Sequence, residues 1–158
     1  VPITVVYHNV HSPRKVEEMA RTAVGFGAKR FVVSRALGSA AQEGVPAAQL
    51  ACLEGDVDFM VFSDLKEALR VLEPDRVYMA EDAEHGGSRP FDPSEVADRL
   101  RGGEEVVFVF GSSRPGLSKR ELELGDEAVY VGSEGNIGEV GALAIVLWSL
   151  SRELGEEG

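Results

Sequence analysis

A single cysteine, Cys52, is the only thiol in 158 residues, which excludes an internal disulfide and any multi-cysteine zinc site. It lies in the stretch AAQLACL, where a buried structural thiol is expected. No apolar run approaches the roughly 18 residues a membrane-spanning helix needs. No signal-peptide pattern opens the chain, so a cytoplasmic location without membrane contact is expected. Neither a G-x-G-x-x-G nor a G-K-[ST] phosphate loop occurs, which counts against a plain doubly wound nucleotide-binding protein. Internal repeats, low-complexity tracts and interdomain linkers are absent, and residues 1–158 read as one domain. Basic residues are outnumbered, 16 Lys and Arg against 27 Asp and Glu, for a net charge of −11. That balance excludes a protein that coats nucleic acid by bulk electrostatics. It leaves room for a localised contact: residues 1–35 carry six basic side chains against Glu17 and Glu18, a balance of +4, and residues 36–158 carry −15.

What is present is an alternation of short β-branched runs with helical patterns. Strands are expected at Ile3–His8, Phe31–Ser34, Phe59–Phe62, Arg76–Met79, Val106–Phe110 and Ala128–Val131. A helix is expected from Ser12-Pro13, a cap followed by a first-turn proline, to Gly25–Gly27, burying Val16, Met19, Ala20 and Ala23. Further helices are expected at Ala47–Leu53, Leu65–Leu72 (capped by Ser63 or Asp64), Pro93–Arg101 (capped by Asp92) and Ile137–Leu154. The polar run EDAEHGGSRPFDPSE is the one long stretch without periodicity. Strands alternating with helices imply an α/β fold, a mainly parallel sheet flanked by helices on both faces. Gly111 and Gly132 end two of its strands, so their loops share the carboxyl edge, where open α/β sheets bind ligands.

Three segments in order resemble the SpoU branch of the SPOUT (alpha/beta-knot) RNA methyltransferases. The opening HNVHSPRKVEEMARTAVGFGA places Pro13, Arg21, Thr22, Ala23, Phe26, Gly27 and Ala28 in register with the family's N-P-x-N-x-G-x-x-x-R-T-A-x-x-F-G-A motif. FGSSRPGLS and NIGEVGALAIVLW are similar to its second and third motifs. The resemblance implies a C-terminal deep trefoil knot, S-adenosylmethionine held among the knot loops, an RNA substrate (tRNA or rRNA, with ribose 2′-O as one acceptor), and a homodimer. It places cofactor contacts at Gly111, Ser112, Gly116, Val131, Gly132, Asn136, Ile137, Gly138, Val140 and Gly141. Side chains at Gly111, Gly132, Gly138 or Gly141 would block close approach of backbone to ligand or of helix to loop.

The resemblance makes Arg21 the motif-one arginine, suited to a bidentate phosphate contact; the bland alternative is a surface arginine paired with Glu17 one turn earlier. Lys15 stands at the family's asparagine position and Glu17 at its glycine. Ser113 replaces the motif-two glutamate, and Gly138 and Glu139 replace the motif-three serine-x-asparagine. A ribose hydroxyl is a poor nucleophile and needs a base or an oriented donor set. Lys15 and Glu139 therefore join Arg21 as candidate catalytic residues, and Arg14, Lys15, Arg21 and Arg114 are candidate RNA contacts. Asn136 and Ser133 read as turn residues. His8, Asn9 and His11 follow the first strand, and their pattern supports local hydrogen bonding or RNA contact over a metal. Glu81, Asp82, Glu84, His85 and Arg89 form the most polar loop; a nuclease-type magnesium site there lacks an adjacent E-x-K lysine. Ile145, Leu147, Trp148 and Leu150 read mostly as core, with Trp148 a dimer contact. A knot-fold protein that binds RNA or protein without catalysis is the alternative reading.

Overall fold

The computed structural model describes residues 1–112 and 115–155. A seven-stranded parallel sheet runs in the order β3-β2-β1-β6-β4-β7-β5. The strands are β1 (Thr4–Val10), β2 (Arg30–Ala36), β3 (Asp58–Phe62), β4 (Arg76–Ala80), β5 (Arg89–Pro90), β6 (Val106–Gly111) and β7 (Glu127–Tyr130). The helices are α1 (Pro13–Gly25), α2 (Val45–Glu54), α3 (Leu65–Leu72), α4 (Pro93–Arg101), α5 (Lys119–Leu122) and α6 (Gly138–Leu154). The runs TVVYHNV and VVFVFG are apolar without alternation because β1 and β6 are covered on both faces.

The two faces carry separate cores. One joins α1, α2, α4 and α6 to the sheet through Val16, Met19, Cys52, Val96, Leu143, Leu147 and Phe108. The other sets Leu65 and Ala68 of α3, with Leu117 and Leu122, against Val6, Val32, Met79 and Val109. Cys52 is fully buried, and burial pushes its thiol up to about 11, as suits a structural thiol. The helix starts follow the caps. Ser12 Oγ accepts from Lys15 N–H (3.3 Å), Asp64 rather than Ser63 accepts from Glu67 N–H (2.8 Å), and Asp92 accepts from Ser94 and Glu95. The buried positions of α1 are the four its spacing called for.

Four short elements depart from the sequence reading. The polar run after β4 contains a 3₁₀ turn, Ala83–His85, and the two-residue strand β5, so the sheet has seven strands instead of six. A π turn, Ala40–Gly44, precedes α2, and the single turn of α5 follows the β6 loop. Elements of two to five residues are too short to show a period. On α6 the spacing is only half right: Leu147 and Leu150 are buried, but Ile145 and Trp148 are exposed on the other side, with the Arg152 guanidinium 5.6 Å from the Trp148 ring. No helix among the described residues is long and apolar enough to cross a membrane.

The position of β7 shapes the ligand edge. It lies between β4 and β5, which belong to one continuous stretch of chain. Glu81 N–H donates to Val129 O from one side (3.0 Å), while Ser88 N–H donates to Ala128 O (3.0 Å) and Phe91 N–H to Tyr130 O (2.8 Å) from the other. The 81–88 connection therefore straddles the strand that follows it in sequence.

Candidate active site

Three carboxyl-edge loops and the start of α6 enclose a cleft of about 240 Å³. Its walls are Ala80–Ala83 and His85 after β4, Phe110–Ser112 with Pro115 and Gly116 after β6, Val129–Ser133 after β7, and Asn136–Glu139 with Ala142. Of the expected cofactor contacts, Gly111, Ser112, Gly116, Val131, Gly132, Asn136, Ile137 and Gly138 line it. Val140 packs instead against the main core, and Gly141 is absent from the lining. Ser113 and Arg114 lie outside the described residues.

The glycines act differently from one another. A Cβ at Gly111 would sit 2.9 Å from the Leu117 side chain, because the β6 loop folds back onto its own strand. At Gly132 and Gly138 a Cβ meets nothing within 4 Å; their φ values of 84° and 79° are what demand glycine. At Gly141 a Cβ makes only ordinary contact with Ile137. Glu81 anchors the returning loop, its Oε2 accepting from Leu117 N–H (2.9 Å) and its Oε1 from Asp82 N–H (3.1 Å). Burial raises the Glu81 carboxyl above its ordinary value, and these two donors oppose the rise.

The fold joins two of the candidate catalytic residues, Glu139 in the cleft wall and Lys15 outside its lining. Glu139, in the first turn of α6, is buried and lines the cleft. Its Oε1 lies 3.4 Å from Lys15 Nζ and its Oε2 accepts from the Tyr7 hydroxyl at 2.7 Å. Burial, then the Glu139 carboxylate, pushes the Tyr7 hydroxyl far up, so Tyr7 remains a donor. An acidic side chain in the first turn also suits the positive end of the helix dipole. Tyr7 carried no sequence signal beyond its place in a buried strand.

Arg21 is not brought to the cleft. Its side chain is 72% exposed and pairs with Glu17 at 3.0 Å, the bland alternative of the sequence reading. Arg14 pairs likewise with Glu18 at 2.9 Å. In the polar loop, Glu81, Asp82 and His85 line the cleft while Arg89 bridges Glu95 and Glu127 at 2.7 and 2.6 Å. His85 Nδ1 lies 2.6 Å from Asp82 Oδ1, and that bond raises its proton affinity.

Strand alternation sends His8 to the opposite face from Tyr7. Buried His8 holds Ser34 Oγ at Nδ1 (2.8 Å) and Glu121 Oε2 at Nε2. A carboxylate only accepts, so Nε2 carries the proton, and in the neutral ring Nδ1 accepts from the Ser34 hydroxyl. The set has the order of a catalytic triad, but Ser34 is fully buried and no substrate reaches it. It works as a tie between β1, β2 and α5. Ser118 and Glu121 close a capping box at the start of α5, a helix the sequence reading did not expect, and nothing local pointed to the link with His8. Burial works to raise the Glu121 carboxyl, but Ser118 N–H and His8 overcome it and hold the group below its ordinary value. A depressed carboxyl contributes stability above its unfolded value that is lost as pH falls through its folded one. Glu121→Gln should therefore cost roughly 1–3 kcal/mol at neutral pH. In urea melts the deficit should shrink in acid; an equal deficit at pH 7 and pH 3 would refute the tie.

Comparison with known proteins decides the family. The model described as "RecB-family nuclease (DUF2122)" matches residues 38–149. The chain belongs to this family. The DUF2122 chain is 33% identical over 150 residues to the "Putative type II restriction enzyme MjaORF1200P" of Methanocaldococcus jannaschii, a match covering 95% of this chain and 97% of that one. Its fold is that of solved methyltransferases. A structure titled "Probable Methyltransferase" from Bordetella pertussis Tohama I superimposes with a TM-score of 0.75 at 20% identity, over 96% of this chain and 93% of the other. The SpoU methyltransferase AviRb from Streptomyces viridochromogenes, in complex with AdoMet, gives 0.72 at 17% identity, over 96% of the DUF2122 chain and 57% of its own.

Proposed function

We propose that this DUF2122 protein is an S-adenosylmethionine-dependent RNA methyltransferase. The observation that carries the reading is the cleft itself, formed where the loops after β4, β6 and β7 meet the start of α6, with Glu139 in its wall paired to Lys15 outside the lining. Its lining suits an adenosyl group: backbone-rich loops with glycine, apolar Val129, Val131 and Ile137, and carboxylates to face a sulfonium charge. Such a cofactor supplies an electrophilic methyl group. The chain's own residues would orient the acceptor and remove its proton. Glu139 takes that proton at its carboxylate, Tyr7 fixes the carboxylate through Oε2, and Lys15 steadies it through Oε1. Arg21 and Arg14, exposed on α1, would contact RNA outside the cleft. The straddled position of β7 supports a knotted carboxyl end, and the exposed Trp148 and Ile145 support burial of α6 in a homodimer.

The family description favours a second reading, a nuclease. Metal-assisted phosphodiester cleavage needs donors converging on the ion; among the described residues no group of three or more His, Cys, Asp or Glu is so placed. Titration calorimetry with S-adenosylmethionine should show saturable binding. No heat at millimolar ligand, together with magnesium-dependent cleavage of RNA or DNA, would replace the methyltransferase with the nuclease.

A further inference from the structure

Most cations of this acidic chain are engaged. Arg14, Arg21, Lys29, Arg30, Arg70, Arg76, Arg89, Arg99 and Arg101 each have a carboxylate within 4 Å. Arg35, Lys66, Lys119 and Arg120 are exposed, and among the described residues none of them has a carboxylate partner. All four lie at the carboxyl edge: Arg35 near the end of β2, Lys66 in the first turn of α3, Lys119 and Arg120 at the start of α5. The His8 tie joins the segments that carry three of them. Ser34 on one side of the imidazole precedes Arg35, and Glu121 on the other follows Arg120. Ser34 also pairs in register with Phe62, four residues before Lys66.

The acidic side chains on these elements are largely occupied elsewhere. Asp64 caps α3, Glu67 lies 3.8 Å from Arg70, and Glu121 faces His8; Glu123 stays on the surface. The backbone supplies an independent sign. Asn9 and Arg35 have φ of 60° and 52°, and the β1–β2 register passes over both, from His8–Ser34 to Val10–Ala36. Holding a residue other than glycine in the left-handed region costs roughly 1–2 kcal/mol, and strain of this kind gathers at functional sites.

We infer that this rim, Arg35, Lys66, Lys119 and Arg120, is where the phosphate backbone of the RNA substrate docks. The inference rests on the methyltransferase reading, and it moves the main RNA contact from α1 to the carboxyl edge of the sheet. A polynucleotide is too large for the cleft and must be gripped outside it; α5 begins three residues beyond Gly116, in the cleft wall. Unpaired cations serve here because a phosphate contact draws on counterion release, which a cation already held by a carboxylate cannot match.

The test is fluorescence anisotropy with a labelled RNA hairpin and a DNA duplex of equal length, over a range of salt. The variant is Arg35→Gly, Lys66→Ala, Lys119→Ala and Arg120→Ala combined, and Lys29→Ala with Arg101→Ala is the control. Arg35→Gly keeps the left-handed backbone, and circular dichroism melts check folding. Removing four contacts should flatten the slope of log affinity against log salt by about 3 and weaken RNA binding more than tenfold near 0.1 M salt. Calorimetric binding of S-adenosylmethionine should not change. Equal slopes in variant and control, or a loss confined to DNA, would overturn the docking surface. Loss of S-adenosylmethionine binding in the wild-type protein would instead strike the methyltransferase reading.

Discussion

Glu139→Gln is expected to lower methyl transfer by about 10²–10⁴-fold, the usual worth of a positioned proton acceptor. Glutamine matches the shape and still accepts from the Tyr7 hydroxyl, but it cannot take a proton at neutral pH. The fold should therefore survive while chemistry fails. Measured in single turnover with saturating cofactor and RNA, the loss should appear in the rate, with RNA affinity unchanged. Lys15→Ala should have a smaller effect, since Lys15 Nζ stands 3.4 Å from the carboxylate and steadies it without replacing it. A Glu139→Gln enzyme within threefold of wild type would remove Glu139 from the mechanism while leaving the cleft as a binding site.

Phe108→Ala should be the most damaging core change, costing about 3–5 kcal/mol. Phe108 is fully buried on β6, stacked on Tyr78 at 4.9 Å, edge-on to Phe91 at 5.8 Å and 6.4 Å from Phe110. These rings come from β4, β6 and the turn into α4, so the cavity would open where the sheet meets its helical layer. Against a total stability of roughly 5–15 kcal/mol, that loss takes about a fifth or more of what holds the domain. Urea denaturation should show a lower midpoint with an unchanged slope. A loss below 1 kcal/mol would mean that the neighbouring rings close the gap.

Most of the architecture was legible because it is written in local terms. Pro13, Pro93, Asp64 and Asp92 mark helix starts through contacts within four residues, and Val16, Met19, Ala20 and Ala23 mark the buried face of α1 by spacing alone. β5 was not legible, since Arg89 and Pro90 become a strand only by meeting Val129 and Tyr130. The candidate site was legible in part. The loops that carry Gly111, Gly132 and Gly138 do form the cleft, because parallel strands deliver their carboxyl ends to one edge. Arg21 was drawn to the site by a motif match, which says nothing about which face of α1 the cleft lies on.

By itself the sequence determined the alternation of strand and helix, the parallel sheet it entails, and the glycine loops at its carboxyl edge. Each of these follows from side-chain period and capping over a few residues. Only the tertiary structure decided the partners: Glu139 with Tyr7 across 132 residues and with Lys15 across 124, and His8 with Glu121 across 113. Those meetings depend on strand order, above all on β6 lying between β1 and β4 and on β7 entering between β4 and β5. Strand order is settled by which faces the whole chain can bury at once, and no local stretch contains that information.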